Sequence, residues 1–168
     1  SQKILPVLNR VNPAGRSPVE FPIRDTVPAT WEAAIAKAEN PRLPVKLRRA
    51  AAAEAVQLAA NASWRDPRPA YSHYISGRAN FRTNPREAAR HFAQAEALYA
   101  AQQETGIQRA HIALHLAAID LRAGDIEKAI SRTSEAATAA AAAQNAWLLA
   151  DLMMIRSEAL RVQGRASE

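Results

Sequence analysis

Cysteine is absent from this 168-residue chain, which excludes disulfide frameworks and thiol chemistry and leaves the compartment open. Aromatic residues make up only 5%, so a core must be built from Leu, Ile and close-packed Ala rather than from large rings. The five glycines are scattered, and none sits in a Gly-rich phosphate-binding loop. Runs of β-branched residues are nearly missing, which argues against strands. No apolar run approaches the length of a membrane-crossing helix, because the Ala-rich stretch 136–143 is both short and weakly apolar.

What remains is strongly helical in character. Alanine supplies roughly a quarter of the chain, and it loses no side-chain entropy on entering a helix. The composition therefore predicts an all-α fold, and the length predicts one domain able to bury most of its apolar surface. The residues before position 29 stand apart. Prolines at 6, 13, 18, 22 and 28 forbid a long helix there. Ile4, Leu5, Val7, Leu8, Val11, Phe21 and Ile23 are interleaved with them, which predicts an extended arm over 1–28 that packs on the body, on a partner or in a groove. The chain opens on Ser1 rather than methionine, which is as compatible with a processed, exported protein as with a cytoplasmic one.

Charge is unevenly spread. Residues 1–90 hold 15 Lys+Arg against 7 Asp+Glu, and residues 91–168 hold 7 against 9, so a basic first half precedes a slightly acidic second half. Two basic clusters result, one at Lys46, Arg48 and Arg49 and one at Arg78, Arg82, Arg86 and Arg90. Pro85 interrupts the second cluster and divides it between two elements.

Seven helices are predicted after the arm: 29–39 with Thr30 as N-cap, 45–62, 69–82, 85–103, 107–123, 125–143 and 146–162. Asn84 caps the fourth with Pro85 at its first position, and Gly106 closes it. Apolar residues at three-and-four spacing read as core stripes, among them Ala110, Ala113, Leu114, Ala117 and Leu121 on the fifth helix and Trp147, Ala150 and Met154 on the seventh. Breaks between helices recur at Arg42, Thr83, Gly124 and Gly164, with spacings of 41, 41 and 40 residues. Around Gly124-Asp125, Leu116 and Ala117 precede the turn and Ile126, Ala129 and Ala136 follow it; Ala88, Phe92 and Ala95 repeat the small–bulky–small pattern one unit earlier.

This arrangement resembles the tetratricopeptide repeat, although the unit is longer than the roughly 34 residues usual for that family. The resemblance implies antiparallel helix pairs stacked as a short right-handed TPR-like α-solenoid of about 3.5 repeats over 29–168, ending in a lone helix that covers the preceding face and turns a polar side outward. It also implies a concave groove lined by the first helix of each pair. Carried over by position, the groove residues are His73, Gly77 and Asn80, then Leu114, Ala118 and Leu121 with His115 and Arg122 beside them, and finally Met154, Glu158 and Arg161. This set lacks the Lys/Asn/Arg pattern with which some members clamp a terminal carboxylate.

Catalytic signatures do not emerge. No serine lies in a Gly-x-Ser-x-Gly frame, and no nucleophile–base set stands out. His111 and His115 share a helix face at i, i+4, but without a neighbouring carboxylate they read as groove-lining or capped histidines rather than zinc ligands. The expectation is a non-enzymatic scaffold, without cofactor or metal, that holds a protein or peptide partner, with self-association through the arm or the last repeat a further route. The alternative is a polyanion-binding module using the basic first half. Nucleic acid is the less favoured partner, because the basic residues are not interleaved with aromatics. High Ala and Arg content suggests a bacterial source, with cytoplasm and periplasm equally open.

Overall fold

A computed structural model describes residues 30–103 and 106–164. Among them the only regular structure is helical: α1 (Trp31–Glu39), α2 (Val45–Ala59), α3 (Arg68–Asn80), α4 (Pro85–Ala101), α5 (Gly106–Ala123), α6 (Ile126–Ala142) and α7 (Ala146–Val162). None of these helices is long and apolar enough to cross a membrane. The expected arm over 1–28 lies outside the described residues.

Local chemistry explains the boundaries. The Thr30 hydroxyl accepts the Ala33 N–H at 3.2 Å and opens α1. Asp66 Oδ1 accepts the Arg68 N–H at 2.9 Å at the head of α3. Asn84 and Asn145 cap α4 and α7 in the same way, through Glu87 and Leu148. Helix ends fall where the backbone enters the left-handed region, at Gln103, Gly124, Gln144 and Gly164. Gly106 is therefore the first residue of α5 and not the terminator of α4; the chain turns three residues earlier, at Gln103 with φ of 55°. An Asn84→Ala substitution is expected to cost about 1 kcal/mol, the usual value of an N-cap side chain, read as a lower denaturation midpoint with unchanged slope.

Each helix packs on its successor, and α1 with α3 and α5 with α7 also touch. The core is accordingly a row of small clusters rather than one central mass. Ala34, Ile35, Ala38, Ala52, Ala55 and Ile75 join α1, α2 and α3. Phe92, Ala88, Ala95, Ile112 and Leu116 join α3, α4 and α5. Ala136, Ala140, Leu148 and Leu152 belong to a third cluster, and Ala117, Ala129 and Ala159 to a fourth. Among the described residues, 16 of the 25 buried apolar side chains are alanine, which lets the helices approach closely with few large side chains between them.

One expected core stripe is reversed. Trp147 is 86% exposed, Met154 is 68% exposed and Ala150 lies on the surface, while Leu148, Leu152, Ala159 and Leu160 are the buried residues of α7. The amphipathic face of α7 is thus rotated by about one residue, or about 100°, from that expectation. The outer face of the last described helix carries Trp147, Met153 and Met154 rather than a purely polar surface.

Candidate functional site

Four of the nine aromatic residues in the chain converge on one cavity of about 520 Å³. Trp31 comes from α1, Tyr71 and Tyr74 from α3, and Tyr99 from α4. Gln108 and His111 of α5 close the far side, and Arg68 stands at the start of α3. The walls are therefore supplied mainly by α1, α3 and α5.

These rings are held in place from behind. The Trp31 indole donates to Ser72 Oγ at 2.7 Å, and the buried Ser72 hydroxyl in turn donates to the Arg68 carbonyl at 2.7 Å. The Tyr71 hydroxyl donates to Glu39 Oε1 at 2.7 Å, tying α3 to the end of α1. Burial, reinforced by that carboxylate, pushes the Tyr71 phenol up to about 12, so it stays a neutral donor. Trp31 meets Tyr71 and Tyr71 meets Tyr74 with ring centres 6.2 Å apart in each case, in tilted contacts. Arg68 does not bring a free charge to the cavity, because its guanidinium makes a two-pronged pair with Asp66 at 2.6–3.1 Å. The result is a rigid, largely apolar pocket with a small number of polar groups, the chemistry that accepts an apolar or aromatic side chain.

The groove residues expected from the repeat register do not share one surface. His73 faces α4, with its Nδ1 2.9 Å from Nδ1 of His91. Gly77 is buried against the Phe92 ring, and Asn80 is buried with its amide donating to the Ser76 carbonyl at 2.9 Å. Leu114 packs on the Leu148–Leu152 cluster. The His115 ring is wedged against Tyr74, Phe81 and Phe92, and its Nδ1 donates to the His111 carbonyl at 2.8 Å. Ala118 is half-buried, and Arg122 is exposed with its guanidinium 4.7 Å from the centre of the Phe81 ring. Met154, Glu158 and Arg161 are exposed on α7, the last two as an ion pair at 2.6 Å. The cavity residue Tyr71 precedes His73 by two positions, about 200° around the helix, which puts them on different sides, whereas His111 precedes Leu114 by three and shares its side of α5 more nearly. Trp31, Tyr71 and His111 are spaced at 40-residue intervals in the sequence and all line the cavity.

His111 and His115 are likewise separated in role, the first lining the cavity and the second filling the space between rings. The basic clusters are dispersed. Arg48 donates to the Ala38 carbonyl, Arg78 lies 5.8 Å from the Tyr74 ring centre, and Arg90 pairs with Glu87. Arg82 and Arg86 are exposed on either side of the break before α4, and Lys46 and Arg49 line a second cavity.

The His73–His91 contact predicts an acid response. Burial is the main cause that lowers the His73 imidazole to about 4 from 6.5, with the His91 and Arg90 charges acting in the same direction. A value depressed on folding means that the neutral ring stabilises the fold above about pH 6.5 and that this contribution is lost as pH falls towards 4. Allowing for solvent screening of a partly exposed ring, the loss is about 1–2 kcal/mol. Burial also lowers His91, His111 and His115, so all four histidines act with the same sign. Urea midpoints measured between pH 7 and 4.5 should fall, and His73→Asn, which keeps a short polar group opposite His91, should flatten part of that fall.

No family model, curated protein or solved structure matches this chain.

Proposed function

We propose that the chain is a non-catalytic interaction scaffold that holds a peptide or partner helix through an apolar side chain seated in the Trp31–Tyr71–Tyr74 cavity. In this reading the helices form antiparallel pairs stacked as a short right-handed TPR-like α-solenoid, and the cavity lies on the face built by the first helix of each pair. The observation that carries it is the cavity itself. Trp31, Tyr71 and His111, spaced at 40-residue intervals, meet there with two further tyrosines. Aromatic anchors in a preformed pocket are the features from which binding hot spots are made.

The test is peptide selection by display against the full chain, followed by titration of the selected peptide. Tyr71→Ala and Trp31→Ala should each weaken binding about 30-fold, corresponding to about 2 kcal/mol, whereas Trp147→Ala should leave it unchanged. Raising the salt from low to moderate concentration should shift the affinity by less than about threefold, because an apolar pocket releases few counterions. A ligand that ignores Tyr71→Ala, or one that proves to be a nucleic acid lost on adding salt, would remove this reading and favour the basic half as the binding surface.

A further inference from the structure

The aromatic cavity lies where the described chain begins. Trp31 is the first residue of α1, Arg68 and Tyr71 fall within the first four residues of α3, and Gln108 and His111 within the first six of α5. The starts of three helices therefore meet at this cavity, and the residues before Thr30 join the body beside it. Trp31, Tyr71, Tyr74 and His111 are each only partly buried, so ring surface remains for a ligand to cover. A volume of about 520 Å³ lies in the range of pockets that enclose most of a drug-sized ligand, which gives room for a ring and a neighbouring proline.

The lining chemistry narrows the choice of occupant. Grooves walled by tyrosine and tryptophan accept proline-rich segments, whose extended backbone carries little freedom to lose on binding. The arm contains such a segment in Pro18-Val19-Glu20-Phe21-Pro22-Ile23. Phe21 is the only aromatic residue before Trp31, and Pro22 biases the backbone at Phe21 towards the extended region. Glu20 is the one charge in the segment, which suits a cavity whose Arg68 is already taken up by Asp66. Phe21 precedes Thr30 by nine residues, a tether of at most about 30 Å. The ring centres of Trp31, Tyr71 and Tyr74 follow one another in two steps of 6.2 Å, so that tether leaves slack for the chain to turn back over them.

We infer, building on the reading of this cavity as a peptide site, that its resident occupant is the chain's own segment 18–23, with the Phe21 ring seated among Trp31, Tyr71 and Tyr74. A tethered segment acts at an effective concentration on the order of millimolar. An outside peptide must displace it, so the arm sets a threshold that a partner's affinity has to exceed.

The absence of cysteine makes the test direct: Ser17→Cys supplies one attachment point for a nitroxide, four residues from Phe21. In the full chain, with no peptide added, the label should broaden the amide signals of Tyr71, Tyr99 and His111 and spare those of Trp147 and Met154 on α7. Phe21→Ala in the labelled chain should abolish this selective broadening, and Leu8→Ala, at an aliphatic position farther along the arm, should leave it intact. Labelled chain mixed with unlabelled, isotope-enriched chain should broaden no cavity signal, because the occupant belongs to the same molecule. A peptide obtained by the display selection should bind Phe21→Ala about tenfold more tightly than the unaltered chain, the gain from removing an occupant present about nine-tenths of the time. Absence of broadening at the cavity, broadening that survives Phe21→Ala, or broadening in the mixed sample would overturn the inference. A peptide that needs Tyr71 yet binds Phe21→Ala no more tightly would overturn it too, and would leave the scaffold reading standing. Selective broadening lost in Phe21→Ala, with no peptide recovered by display, would uphold the arm as occupant and remove the scaffold reading alone.

Discussion

Phe92→Ala should remove about 3–5 kcal/mol of stability, a large share of the 5–15 kcal/mol that a domain of this kind possesses. Phe92 is fully buried and is the largest such side chain among the described residues. Its ring lies in the cluster that joins α3, α4 and α5, with ring centres 6.1 Å from Tyr74 and 4.9 Å from His115. Alanine cannot fill that space, and the neighbours cannot close it, since Ala70, Ala88 and Ala95 around it are already at minimal size. The loss should also be felt at a distance. Tyr74 packs on Phe92 and lines the aromatic cavity, so peptide affinity should fall with stability even though Phe92 itself does not line that cavity. Chemical denaturation followed by circular dichroism gives the first quantity and titration the second. A loss below about 1.5 kcal/mol would mean that the cluster repacks around the missing ring rather than keeping its shape.

The helices were legible in the sequence because their signals are local. Proline at 85, asparagine at 84, threonine at 30 and the glycine at 124 act through their own backbone geometry, and each stands where its chemistry placed it. The site was less legible because it depends on rotation about each helix axis. In an Ala-rich helix both faces are weakly apolar, so the periodicity of α7 reads a residue out of phase and points Trp147 at a core that Leu148 and Leu152 occupy. The rare, large side chains carry more information than the abundant small ones. Trp31 and Tyr71 are 40 residues apart in the sequence and end in contact, a coincidence that alanine spacing cannot supply.

Gly77 offers the sharper test of how tightly α3 and α4 meet. In an exposed helix interior, replacing glycine by alanine stabilises by about 0.5–1 kcal/mol, because the unfolded chain loses freedom. At Gly77 the sign should reverse. A Cβ built there would lie 2.5 Å from Phe92 Cε1 and 2.6 Å from Cδ1, well inside any real carbon–carbon contact. The ring cannot swing away, since Phe92 has no exposed surface and His115 and Tyr74 flank it. Alanine should therefore cost about 1–3 kcal/mol, the usual range for overpacking, and valine, with two further methyl groups and restricted χ1, should cost more. A clash with Phe92 has a consequence that simple destabilisation lacks. If the cost is the clash with Phe92, then Gly77→Ala and Phe92→Leu should be non-additive, because leucine withdraws the ring atoms that the new methyl meets. The double variant should recover about 1 kcal/mol or more relative to the sum of the single changes. Additive losses would place the cost of the methyl elsewhere and would mean that the α3–α4 contact is looser than a 2.5 Å approach allows.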